Sequence, residues 1–191
     1  MLSVDLMTAI LVATLGAGTP LALAAIGELV SERAGVLNLG VEGMMLVGAV
    51  VGFVATAESE SMVIGILAGM GAGISLSLIF AFPTLTCLAN QVATGLALTI
   101  FGIGTNALIG AGYTGTVLAV RDSFSIPILS DIPVLGALLF SLEPMTYLSL
   151  AIIGGVWFFL FRSRSGLVLR GVGDSPAAAH VTGMSVILIR Y

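Results

Sequence analysis

The chain has 191 residues, 58% of them hydrophobic and 8% charged, with a mean hydropathy of +1.19 and a net charge of −4. Soluble domains carry about 25% charged residues, so this composition cannot clothe a globular surface and points to an all-α, polytopic transmembrane helical bundle. All six basic residues are Arg, the acidic balance argues against nucleic-acid binding, and the single cysteine, Cys87, excludes an intramolecular disulfide and reads as a small packing residue.

Five apolar runs are long enough to cross a bilayer, which takes about 20 helical residues. They are Leu6–Leu29, Val36–Ala57, Met62–Pro83, Val92–Tyr113 and Met145–Phe161. The first lacks the positive start of a cleaved signal and is too long for one. Gly16, Gly18 and Pro20 within it predict a kink or an unwound turn. Gly48 and Gly52 in the second run, and Gly65, Gly69 and Gly73 in the third, form small-residue stripes along which helices pack closely.

Alternating the sides gathers Arg33, Arg162, Arg164, Arg170 and Arg190 on one face of the membrane and leaves Arg121 alone on the other. The positive-inside rule then sets the N-terminus outside and the segment 162–190 in the cytoplasm. The stretch 113–144 reads as an outside loop, because its apolar pieces Phe124–Leu129 and Ile132–Phe140 are too short to span. Trp157, Phe158 and Phe159 sit near the cytoplasmic end of the last span as interface anchors.

The start of the second run carries polar groups. Ionisable residues inside a span cost about 2.5–3.5 kcal/mol, so they usually face a bundle interior or an aqueous path. On a helix begun at Val36, Asn38 and Glu42 share one face and come within hydrogen-bonding reach. Glu42 then serves as a gate near the cytoplasmic mouth, as a structural carboxylate capping a broken helix, or as a substrate contact. Asn90 and Gln91 open the fourth run, and Asn106 lies deep within it, suited equally to a polar path and to helix packing.

In the cytoplasmic segment, Asp174 or Ser175 is a good N-cap and Pro176 fits the first helical turn. Ala177, Ala178 and Ala179 propagate the helix, and Gly183 ends it in the left-handed conformation. The outcome is a capped helix of about two turns, marginal by itself in water and therefore held by a contact. His180 has no Cys or His partner in sequence and reads as exposed. No Gly-rich loop with Lys, catalytic pair or metal-ligand cluster occurs, so the chain reads as neither an ATPase nor another enzyme and needs no cofactor.

The string Ser31-Glu-Arg-Ala-Gly-Val-Leu-Asn38-Leu-Gly-Val-Glu42-Gly-Met-Met45 resembles the signature of permease subunits of ABC importers. The group is that of simple sugars, nucleosides and branched-chain amino acids, and the nucleoside and simple-sugar permeases are the most similar. Asn90-Gln91-Val92 followed by Gly95-Leu-Ala-Leu98 matches them too. In that family the pattern Arg-x-x-Gly-x-x-Pro-x-Ala-Ala-x-x-x-Gly marks the coupling helix that docks on the ATP-hydrolysing subunit. Here it is filled by Arg170, Gly173, Pro176, Ala178, Ala179 and Gly183. Asp174 and Ser175 stand where relatives more often have Glu and Asn.

The resemblance covers essentially the whole chain. It implies a multi-pass protein of a bacterial or archaeal plasma membrane that translocates a nucleoside or simple sugar. Its implied partners are a cytoplasmic ABC ATPase, a second permease subunit, an extracellular or periplasmic substrate-binding protein and the lipid bilayer. The alternative is a secondary, ion-coupled transporter or channel, which also uses broken helices. The capped cytoplasmic helix favours an ATPase partner. Relatives continue with further spans, so the chain reads as a single permease domain, 1–191, cut short at its C-terminal end.

Overall fold

The computed structural model describes residues 4–118 and 144–191, so most of the expected outside loop, with Arg121, lies outside the described residues. Every regular element among the described residues is helical. They are α1 (Val4–Arg33), α2 (Val41–Ser59), α3 (Met62–Ala81), α4 (Gln91–Gly110), α5 (Pro144–Arg162), α6 (Arg164–Asp174), α7 (Pro176–Val181) and α8 (Val186–Arg190). Five of these, α1 to α5, are long and apolar enough to cross a membrane. The all-α polytopic class expected from composition is the one observed.

The described residues fall into two compact units. The first comprises residues 4–27 and 144–166. In it, Thr19 donates to the Leu15 carbonyl at 2.9 Å and to the Thr146 hydroxyl of α5 at 3.2 Å. Thr19, Thr146 and Ser149 are all buried, and Ser149 donates to the Thr146 carbonyl at 2.7 Å. A hydroxyl that returns its proton to its own helix can be buried in an apolar span at little cost. The unwound turn expected at Pro20 does not form, since α1 stays helical from Val4 to Arg33. Pro20 takes away one N–H from the helical ladder, and the rest of the ladder carries α1 through it. The turn into α6 is built by Ser163, whose hydroxyl accepts from the Gly166 N–H at 2.9 Å.

The second unit comprises residues 28–118 and 167–191 and is built on close backbone approach. A Cβ added at Gly52 would lie 3.1 Å from the Gly65 carbonyl, and one at Gly69 2.9 Å from the Gly48 carbonyl. A second seam joins α2 to α4, where a Cβ at Gly43 would sit 2.6 Å from the Leu98 carbonyl and one at Gly102 2.6 Å from the Gly43 carbonyl. In lipid no hydrophobic force draws helices together, so dispersion at such seams does the holding. The expected stripe stops short of Gly73, which has nothing within 4 Å. Around the seams, Val36, Val47, Leu76, Phe80, Leu85 and Leu98 form a buried apolar cluster. On α3, Ile64, Leu67, Ile74 and Leu78 repeat at helical spacing on an exposed stripe suited to lipid or to another helix.

Helix ends fix the connections. Glu60 adopts φ +52°, so α2 passes into α3 with only Glu60 and Ser61 between them. Past Ala81 the helix widens into a π-turn, Phe82–Thr86, where Pro83 cannot donate in the normal ladder. At the far end of α4, Tyr113 donates to the Glu58 carboxylate at 2.7 Å and meets Phe53 edge-on at 6.5 Å.

Candidate functional site

The signature string does not begin a helix at Val36. Helix α1 runs on to Arg33 and closes with Gly35 at φ +78°, the Gly35 N–H bonded to the Glu32 carbonyl and the Val36 N–H to the Ser31 carbonyl. These paired bonds are a Schellman closure, which favours Gly at the left-handed position. Seven residues, Ala34 to Gly40, then connect α1 to α2 without a helical ladder. Each buried backbone polar group there needs a partner from elsewhere.

The partners come from four sources. The Leu37 N–H donates to Gln91 Oε1 at 2.8 Å, and the Asn38 N–H donates to Glu28 Oε1 at 2.9 Å. Asn38 Oδ1 accepts from the Gly40 N–H at 3.0 Å, an Asx turn that starts α2. Thr99 donates to the Leu39 carbonyl at 3.0 Å, and Arg190 Nε donates to the Ala34 carbonyl at 2.9 Å. The connector is thus a polar node tied to α1, α4, α8 and the start of α2.

Of the sequence-derived path residues, Asn38 and Gln91 come together on this node. Asn38 is buried but precedes α2, so it does not share a helical face with Glu42; the expectation of an Asn38–Glu42 pair is corrected. The carboxylate that meets Asn38 is Glu28, and its Oε2 is buried without a hydrogen-bond partner. Glu42 is exposed in the first turn of α2, where the helix dipole favours an acid. Asn90 is the N-cap of α4, accepting from the Ala93 N–H at 3.1 Å. Asn106 is half-buried on α4, about 22 Å along the helix from Gln91 at 1.5 Å per residue, and so away from the node. Glu28 could have been found from Gly35: a Schellman glycine there extends the first helix past Leu29 and places Glu28 in its last two turns.

The cytoplasmic-segment residues form a second group. A helix not anticipated from sequence, α6, carries Arg170 and Gly173 and ends at Asp174. Of the two candidate caps, Ser175 caps α7, its hydroxyl accepting from the Ala178 N–H at 3.4 Å. Pro176 opens the helix, Ala179 is buried, and Ala178 and His180 are exposed. Gly183 at φ +82° closes it, with the Gly183 and Met184 N–H groups bonded to the His180 and Ala179 carbonyls. This group touches the node. A Cβ at Gly173 would run into the Arg33 carbonyl and lie 3.0 Å from the Gly35 nitrogen, and one at Gly35 would lie 3.1 Å from the Gly173 Cα. The node and residues 167–191 therefore occupy one end of this unit. Among the described residues, no group of His, Cys, Asp and Glu could hold a metal ion.

Comparison with known proteins shows what the chain is similar to in sequence. A putative glucose ABC transporter permease protein of Haloferax volcanii is 42% identical over 183 residues, 94% of this chain and 56% of the relative. A guanosine ABC transporter permease protein of Bacillus subtilis is 34% identical, covering 98% of this chain and 63% of the relative. A nucleoside ABC transporter permease protein of Lactococcus lactis is 30% identical, covering 91% and 58%. The chain thus spans less than two thirds of the length of these relatives. No solved structure matches. The profile of the family described as branched-chain amino acid transport system / permease component matches residues 10–191, and the chain belongs to that family of membrane-spanning ABC permease components.

Proposed function

We propose that this chain forms the membrane-spanning wall of an ATP-driven importer for a nucleoside or a simple sugar, with α7 as the coupling helix. The observation that carries the reading is α7 itself. Six residues are too few for a stable helix in water, yet this one has a Ser175 cap, Pro176 at its start and a Gly183 closure. Its small outer residue, Ala178, leaves room for a partner's groove, while Ala179 anchors the helix inward. Arg170, Gly173 and Asp174 belong to the helix that carries it.

The partners in this reading are a cytoplasmic ABC ATPase on α7, a second permease subunit across the path, and a substrate-binding protein on the outer face. The names of the three relatives support glucose-like and nucleoside substrates. Family membership favours ATP drive over the ion-coupled alternative. Asn38, Gln91, Glu42, Asn90 and Asn106 are proposed to line or gate the path, the first two through the node.

Co-purification with the ATPase from detergent tests the assignment. The wild-type chain is expected to retain the ATPase, and Ala178→Asp to lose it at unchanged membrane levels. Full retention by Ala178→Asp would place the contact elsewhere.

A further inference from the structure

We propose that the Ala34–Gly40 connector transmits movement of α7 to α2 and α4, with Arg190 as the positioning residue that couples them. The inference rests on α7 being the coupling helix and adds the route by which its displacement reaches the spans. Helix α7 is tied to the connector on both flanks. On its N-terminal flank, Gly173 lies backbone to backbone against Arg33 and Gly35. On its C-terminal flank, Arg190 of α8 donates to the Ala34 carbonyl at 2.9 Å, and its guanidinium reaches over Gly35.

The two ties differ mechanically. The Gly173 contact is steric, so it transmits a push and resists compression. The Arg190 bond is directional and transmits a pull. Beyond Gly35 the connector has no helical ladder to absorb displacement. It passes the load through the Leu37–Gln91 and Leu39–Thr99 bonds to α4, and through the Asn38 turn to α2. Gly43 and Gly102 then lock α2 to α4, so both helices respond together. Interfaces packed this closely shift between discrete arrangements rather than deform smoothly.

The test is Arg190→Met, which keeps the apolar stem and removes the donor, beside Arg190→Lys, which keeps one. Both are made in the permease assembled with its ATPase. Uptake of radiolabelled guanosine or glucose in Arg190→Met is expected to fall about tenfold, within the usual range of a coupling free energy. ATPase association and basal hydrolysis stay at the wild-type level, and Arg190→Lys recovers part of the uptake. A Cys87→Ser, Leu37→Cys reporter adds a readout that a merely structural role would not move. Its thiol-labelling rate should change on ATP binding in the Arg190 background and not in the Met background. Normal uptake in Arg190→Met, or an unaltered ATP response of the reporter, would overturn the proposal. Loss of ATPase association in parallel with uptake would make Arg190 an assembly residue instead. Failure of the wild-type chain to hold the ATPase would overturn the coupling-helix reading and this inference with it.

Discussion

Glu28 holds the node from the side of α1, and its two oxygens have different jobs. Oε1 accepts the Asn38 N–H, while Oε2 is buried and unpaired. Only the first contact needs an acceptor, and an amide supplies one as well as a carboxylate. Glu28→Gln keeps that acceptor and is therefore expected to disturb the fold less than Glu28→Leu. Glu28→Leu strands a buried backbone donor, a loss of about 1–3 kcal/mol, and should lower the thermal midpoint of the purified protein. Equal midpoints for the two variants would show that the contact does not bear on stability. The sequence directs attention to Asn38 and Glu42 because their i, i+4 spacing looks helical. Gly35 is the residue that decides otherwise, since its left-handed φ stops α1 and leaves Asn38 to form a turn. Local turn chemistry outweighs apolar periodicity at this point, and Glu28 stays hidden because its partner is a backbone group that no side-chain pattern announces.

At the scale of elements, α2 is the helix on which the second unit is organised. It meets α3 along Gly48 and Gly52 and α4 along Gly43. Gly43→Val would drive a branched side chain into the Leu98 carbonyl and Thr99, now 2.6 and 2.7 Å from a bare Cβ. Overpacking of this kind costs about 1–3 kcal/mol, so detergent-solubilised yield and thermal midpoint should fall. Gly73→Ala, with nothing within 4 Å, is expected to leave both unchanged or slightly raised. A Gly43→Val protein as stable as the Gly73→Ala control would mean that the seam is looser than its geometry implies. The α2–α3 seam is legible in sequence because its glycines repeat every four residues on both helices. The α2–α4 seam is not, since Gly43 and Gly102 stand in separate runs that only the fold aligns. Pro20 misleads in the opposite direction as to unwinding, since it sits within a continuous helix.

At the scale of the whole molecule, charge and contacts bear on the same question, which way the chain faces. In the second unit the end of α1, the start of α4 and residues 167–191 meet at the node. That end holds Arg33 and Arg190, and α6 adds Arg170. Glu58 and Tyr113 pair at the other ends of α2 and α4. The positive-inside rule, which counts Arg near span ends, then orients the node to the cytoplasm and the Glu58–Tyr113 pair outward. This orientation is a proposal that labelling can decide. In a Cys87→Ser background, Glu60→Cys and Thr114→Cys should react with a membrane-impermeant maleimide in intact cells, and Asp174→Cys only after permeabilisation. The three positions are exposed, so failure to react reports sidedness rather than burial. The reverse pattern would put α7 outside, where no ATP is available to a partner subunit. The coupling-helix reading and the transmission route through Arg190 would then fall together, while the glycine seams and the Glu28–Asn38 contact, which do not depend on sidedness, would stand.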